Sequence, residues 1–280
     1  MLDLFSGIGG FHLGLEQAGF KFDWVGFSEI DKYASKQYKK RFPDATELGS
    51  VTDIQCEQLP EHIDILCGGF PCQSFSIAGL RGGFEDTRGT LFFEIVRILK
   101  YYKDSGNPID CFILENVKGL LSHDDGKTFA TIYGVLADLD YSVECQLLNT
   151  RWFLPQNRER IYIVGHFGEK CGSKTFPIGE TETYYVKQKT EKMFIADFRY
   201  DEGIRPRYDN ICPTLSIGGD PPFIINSNPR YVTCLECERL QGFPDGWTEG
   251  QSDTQRYKQL GNAVSVPVVK AIGERLNQYL

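Results

Sequence analysis

The 280-residue chain has no run of about 18 apolar residues, the length a membrane-spanning helix needs, so no span is expected. It opens without a basic-then-apolar leader, so a cytoplasmic rather than a secreted protein is expected. It contains no internal repeat and no low-complexity segment; with 41% hydrophobic and 24% charged residues, a packed core is expected. A disulfide framework is not expected either, because the nine cysteines are odd in number and scattered. Cys234 and Cys237 form a CxxC with no second pair or suitably spaced histidine, which argues against zinc. Positive charge is also short: the net charge of −8 argues at first sight against a nucleic-acid partner.

That deficit is uneven. Residues 1–149 carry a net charge of −9 and residues 150–280 a net of +1. Within the second half, residues 151–207 hold 11 basic and 8 acidic side chains. Screening confines each patch to roughly 10 Å, so an acidic total can hide a locally basic surface.

The first two thirds alternate short apolar runs with amphipathic stretches. Strands are expected at 22–27, 63–67, 111–114, 143–148 and 160–167, with helices near 11–18, 31–41, 91–102 and 128–139. In the third of these helices Leu91, Ile95, Ile98, Leu99 and Tyr102 recur at helical spacing. Such alternation implies an α/β fold with a doubly wound, mostly parallel sheet, which binds ligands beyond the carboxyl ends of its strands. From about Glu169 to Trp247 glycine, proline, threonine and tyrosine increase and helical periodicity fades. The last helix then carries Val264, Val268, Ile272 and Leu276 at every fourth position. The expected division is a main domain of residues 1–168 and 255–280, with a smaller loop-rich domain of residues 169–254 inserted before the last helix.

Two regions carry chemistry. Ser6-Gly7-Ile8-Gly9-Gly10 follows a very short apolar lead, where glycines permit a tight turn and close approach to a ligand. Glu29 stands after the next strand and can accept hydrogen bonds from two ribose hydroxyls, while Asp53-Ile54 could meet a base. The turn lacks the full six-residue dinucleotide pattern, so a nucleoside cofactor without pyrophosphate fits at least as well. In the second region, Gly68-Gly69-Phe70-Pro71-Cys72 would bring a thiol, a strong nucleophile, to the carboxyl end of a buried strand; an inert buried cysteine is the alternative. Glu115 follows the next strand, where a partly desolvated carboxyl suits a proton donor; a loop carboxylate capping Lys118 or a helix is the alternative. Arg158 and Arg160, two residues apart, would point the same way if extended and could hold a carbonyl oxygen or phosphates; a surface ion pair is the alternative.

In order along nearly the whole chain, DLFSGIGG (3–10), Glu29–Asp31, Asp53-Ile54, GFPCQSFS (69–76), RGTLFF (88–93), ENV (115–117), QNRERIYIV (156–164), ECERLQGFPD (236–245) and GNAV (261–264) resemble the DNA (cytosine-5)-methyltransferases of the bacterial restriction–modification type. The resemblance implies the S-adenosylmethionine-dependent methyltransferase fold and S-adenosylmethionine as cofactor, leaving S-adenosylhomocysteine. By the same resemblance Phe5 would stack on adenine, Glu29 would hold the ribose and Asp53 the adenine amino group. Ser6, Gly7, Gly9, Ile30, Ile54, Leu91, Asn262 and Ala263 would complete that pocket. Cys72 would add to carbon 6 of a flipped-out cytosine, Glu115 would protonate ring nitrogen 3, Arg160 would hold the ring carbonyl, and Arg158 would support the active-site loop or the glutamate. Double-stranded DNA would be met by a mobile loop with Ser74, Arg81 and Arg88, and by Arg205, Arg207, Thr214 and Leu215 of a short target-recognition domain. A monomer, a nucleoid-associated location and a functionally paired restriction endonuclease complete these expectations. The chain departs from the family at Cys234 and Leu235, where proline and arginine are usual. Transfer-RNA methylation, a catalytically silent nucleic-acid binder and a dinucleotide oxidoreductase are the alternatives, each weakened by the recognition module or by Cys72, Glu115 and Arg160 together.

Overall fold

The computed structural model describes residues 1–71, 91–168, 175–179, 194–199, 203–207, 211–215, 221–225 and 230–278. Seven strands form the main sheet: β1 (Leu2–Leu4), β2 (Gly26–Ser28), β3 (Thr46–Glu47), β4 (Ile65–Gly69), β5 (Cys111–Val117), β6 (Tyr141–Asn149) and β7 (Glu159–Phe167). Their order is β3-β2-β1-β4-β5-β7-β6. Pairs from β3 to β5 are parallel, and β7 runs antiparallel to both β5 and β6. The mostly parallel α/β sheet expected from the sequence is therefore present. Its strand order reverses between β1 and β4, which is where such sheets open a crevice.

Helices cover both faces. α1 (Gly10–Gln17), α2 (Lys32–Arg41) and α7 (Val266–Leu276) bury Phe11, Leu15, Tyr38, Val268, Val269 and Ile272 on one face. α3 (Leu91–Asp104) and α4 (Lys127–Asp138) bury Phe92, Ile95, Leu99, Ile132 and Leu136 on the other. α1 and α7 approach closely because Gly14 lacks a side chain; a Cβ there would lie 2.7 Å from Val269 Cβ. A second sheet, β8 (Phe194–Arg199), β9 (Gly203–Arg207), β10 (Phe223–Ile225) and β11 (Arg230–Tyr231), is antiparallel in the order β11-β10-β8-β9.

Two details differ from the sequence reading. The strand expected at 22–27 contracts to Gly26–Ser28, since three-residue β1 offers only Leu2–Leu4 as partners. The stretch up to Trp247, where helical periodicity fades, nevertheless contains α5 (Cys234–Gln241), and α6 (Asp253–Asn262) follows where no helix was marked. α5 starts at a reciprocal cap, in which Glu236 N donates to Thr233 Oγ1 and Thr233 N donates to Glu236 Oε2. That Thr-x-x-Glu spacing was the readable signal. Cys237, Phe243 and Trp247 pack with Ile8, Ala34 and Leu260, and Trp247 Nε1 donates to Ile8 O at 3.0 Å.

A buried polar chain underlies β1. Tyr38 Oη donates to Asp3 Oδ2 at 3.2 Å, and His12 Nδ1 lies 3.1 Å from Tyr38 Oη. Burial drives the Asp3 carboxyl well above its usual range and holds His12 down at about 4. The unfolded imidazole, at about 6.5, binds a proton that the folded one refuses. His12 therefore contributes a loss of stability as pH falls from about 6.5 to about 4 and no further loss below. Denaturant titrations of wild type and His12→Gln should differ in pH slope across that window; parallel curves would remove His12 as the cause.

Candidate active site

The cleft forms where β1, β4 and β5 end. The turn after β1 brings Phe5 (φ 54°) and Gly7 (φ 54°) into left-handed conformations, the second of which glycine adopts without strain. Gly7 N donates to Glu29 Oε2 and Asp31 N donates to Glu29 Oε1, both at 2.8 Å. Both carboxylate oxygens are thereby fixed before any ligand arrives. Asp31 caps α2 by accepting from Tyr33 N at 2.9 Å, and its Oδ2 meets Lys258 Nζ at 2.6 Å. Burial works to raise the Asp31 pKa, but the Lys258 ammonium and the backbone donors bring it below its ordinary value.

The other wall carries Glu115 and Arg160. Glu115 lies inside β5, near its carboxyl end, rather than after the strand as expected. Its Oε1 is 2.9 Å from Arg160 Nε, with both side chains largely buried. β4 supplies the room: Gly69 faces Glu115 in the register, and a Cβ there would lie 3.3 Å from Glu115 Oε2. Asn116 Nδ2 donates to Phe70 O at 2.8 Å and braces the chain as it leaves β4.

Phe5, Gly7, Glu29, Phe70, Pro71, Glu115, Arg158, Arg160, Lys258 and Asn262 line one cleft of about 610 Å³. The structure thus brings together the carboxylate read as a ribose holder and the Glu115–Arg160 pair. Arg158 is buried and Arg160 pairs with Glu115 where both side chains are largely buried, so neither arginine belongs to a surface pair. Its guanidinium donates to Gly261 O at 3.1 Å and Ala263 O at 2.9 Å, tying β7 to the α6–α7 junction. Burial first, and Arg160 next, lower its pKa to about 10. Arg158→Met should destabilise the fold by about 2–4 kcal/mol, since two buried carbonyls lose their donor; an unchanged denaturation midpoint would show that they find another.

Other expected residues lie apart from the lining. Ser6 is buried with no partner for Oγ among the described residues, Gly9 (φ 85°) abuts Phe42, and Ala263 is buried. Ile30 is 80% exposed. Asp53 is the exposed end of a 3-10 turn (Val51–Asp53), Ile54 next to it is buried, and Leu91 opens α3 against the core. Thr214 Oγ1 donates to Asn157 O at 2.6 Å, and Leu215 is buried with Ile8 and Cys212. Cys72, Ser74, Arg81 and Arg88 lie outside the described residues. Arg205 and Arg207 lie on β9, their side chains outside the described set. Sequence reasoning missed Asn116, Asp31 and Lys258 as organisers of the cleft; Asn116 and Asp31 stand beside the two carboxylates it did find.

Comparison with known proteins agrees over the full length. The family profile "C-5 cytosine-specific DNA methylase" matches residues 1–211 and 172–278. The chain is 42% identical to the type II methyltransferase M1.ScrFI of Lactococcus lactis subsp. cremoris, covering 100% of this chain and 78% of that one. It is 40% identical to the type II methyltransferase M.NlaX of Neisseria lactamica, covering 100% and 96%. Among solved structures, the S. pombe Dnmt2 methyltransferase superposes with a TM-score of 0.70 at 18% identity, over 99% of this chain and 98% of that one.

Proposed function

Because the chain belongs to the C-5 cytosine-specific DNA methylases, we propose that its cleft holds S-adenosylmethionine beside a cytosine flipped out of duplex DNA, and that Cys72 attacks that ring. The chain is a DNA (cytosine-5)-methyltransferase of the type found in type II restriction–modification systems. The observation that carries the finer reading is a single cleft lined both by Phe5 and Glu29 and by Glu115 and Arg160.

The cofactor fits the residues present. Glu29 is anchored by two backbone donors, leaving lone pairs for ribose hydroxyls. Phe5 offers an aromatic face, and a Cβ on Gly7 would meet nothing within 4 Å, so there is open space for a ligand. When bound, S-adenosylmethionine supplies an electrophilic methyl group on a sulfonium. Ile30, Asp53, Ile54, Leu91 and Asn262 remain assigned to its purine and ribose by family pattern.

Carbon 5 of cytosine is a weak nucleophile within an aromatic ring. Addition of the Cys72 thiolate at carbon 6 breaks that aromaticity and gives an enamine whose carbon 5 can accept a methyl group. Pro71, which immediately precedes Cys72 in the sequence, lines the cleft. Glu115 donates a proton to ring nitrogen 3, removing negative charge as the thiolate adds. Arg160 orients Glu115 through the 2.9 Å contact and faces the ring carbonyl oxygen. A base then takes the carbon-5 proton, the carbon–sulfur bond breaks, and the thiolate returns. Extruding the base costs a few kcal/mol, repaid by contacts in the pocket.

DNA contacts are assigned to Ser74, Arg81, Arg88, Arg205 and Arg207, with Thr214 and Leu215 near the flipped nucleotide. Residues 169–254 serve as the target-recognition domain, and residues 1–168 with 255–280 as the catalytic domain. The protein acts as a monomer in a bacterial cytoplasm, beside a companion endonuclease. Labelled methyl from S-adenosylmethionine should enter duplex DNA; entry into transfer RNA alone would overturn this reading.

The Asp31–Lys258 contact joins the two lips of the cleft across 227 residues of sequence. Asp31→Asn keeps the α2 cap but removes the ion pair. It should weaken S-adenosylhomocysteine binding about three- to five-fold at low salt, the size of an exposed pair. Calorimetric titration with Lys258→Gln and the double variant checks this; additive losses would show that the two side chains do not act together.

A further inference from the structure

At the opposite end of the sheet, His62 Nε2 lies 3.3 Å from Asp64 Oδ1 and 3.5 Å from Asp110 Oδ2. One atom from each of the three residues falls within 4.8 Å of the other two. We propose that His62, Asp64 and Asp110 bind a divalent transition-metal ion of the zinc or cobalt class, at the amino ends of β4 and β5 and away from the methylation cleft.

The donor set is the first argument. One imidazole nitrogen and two carboxylate oxygens suit borderline ions such as Zn²⁺ and Co²⁺, whereas an all-oxygen set would favour Mg²⁺ or Ca²⁺. The distances are the second. Ligands bound at about 2.0–2.1 Å in a tetrahedron stand about 3.3–3.4 Å apart. The two His62 contacts, at 3.3 and 3.5 Å, are close to that spacing, and the two carboxylates lie within 4.8 Å of each other. The third is preorganisation. Asp64 and Asp110 immediately precede the paired residues Ile65 and Cys111 of adjacent parallel strands. Cys111 N donates to Asp64 O at 3.0 Å, and Phe167 N donates to Asp110 O at 3.0 Å. Both carboxylates thus hang from hydrogen-bonded sheet backbone.

The fourth argument comes from the surroundings. A cleft of about 520 Å³ opens beside the cluster, lined by His62 and Asp64 and also by Asp23 and Trp24. It leaves coordination positions open to water, and Asp23 adds a further carboxylate to the neighbourhood. The ion would tie the 60–64 segment to the start of β5. This site is independent of the methyl-transfer reading, and its loss should leave methyl transfer unchanged.

Co²⁺ titration of the full chain tests it by two readouts, visible absorption and quenching of Trp24 fluorescence. Saturable binding of one ion per chain, displaced by Zn²⁺ and weakened at least about ten-fold in both His62→Gln and Asp110→Asn, is the expected result. Added Zn²⁺ should raise the melting temperature of wild type and not of the variants. All three ligands are at the surface, and melting in chelator verifies that each variant folds. Absence of saturable binding, equal binding by wild type and both variants, or a thiolate-to-cobalt charge-transfer band marking a cysteine site would each overturn the proposal.

Discussion

Cys72→Ser should lower methyl transfer by at least about 10³-fold while cofactor binding persists. A serine hydroxyl is far less nucleophilic than a thiolate, and no base stands assigned to activate it. Addition at carbon 6 then fails, carbon 5 keeps its aromatic character, and the rate collapses without loss of the cleft. Glu29 and its two backbone donors are untouched by the change, so S-adenosylhomocysteine should titrate as in wild type. Duplex DNA carrying 5-fluorocytosine at the target should trap wild type as a covalent adduct, because fluorine cannot leave as the carbon-5 proton does. Serine should give no adduct. A Cys72→Ser enzyme that retained a tenth or more of its activity would rule out thiolate addition as the route.

The second large effect is expected at Glu115. Glu115→Gln keeps the size and removes the proton donor, so kcat should fall about 10²–10⁴-fold, the usual worth of positioned acid catalysis. Its contact with Arg160 at 2.9 Å gives the prediction a second readout. A neutral amide no longer balances the guanidinium, so Arg160 loses its fixed position. Arg160→Lys should therefore fall short of wild type as well, because lysine cannot reproduce the planar fork. If Glu115→Gln changed the affinity for DNA but not kcat, the carboxyl would be a binding group and the protonation role would move elsewhere. Gly69→Ala is a milder version of the same perturbation, since the new methyl would press on Glu115 Oε2 from 3.3 Å.

Much of this was legible in the chain. The alternation of apolar runs marked β4 through β7 within a few residues, because these strands have five or more residues and β4, β5 and β7 are largely buried. β2 and β3 were poorly marked, being three and two residues long, with β3 exposed at an edge. α5 and α6 escaped the periodicity test because each turns only part of its surface to a core and carries many polar residues. Glu29 and Glu115 were found from their places near the carboxyl ends of strands, whereas Lys258 could not be, since its partner lies 227 residues away. The role of Arg158 was not readable: the polar run QNRER gives no sign of burial, and its two carbonyl acceptors depend on how α6 meets α7.

The antiparallel run of β7 beside β5 has an effect on tolerance to sequence change. Glu115 stands opposite Tyr162, so Arg160, two residues along, is its diagonal neighbour on the same face. The spacing between acid and arginine is thus set by a ladder of main-chain hydrogen bonds and by no loop. Lengthening the 150–157 connection, between β6 and β7, should leave that spacing intact. Deleting one residue within 161–164 should turn Arg160 to the opposite face and silence the enzyme, even though every catalytic side chain is still encoded. On the proposed mechanism the sheet would serve as a ruler for the reaction, letting the outer loops diverge while the two groups stay in reach.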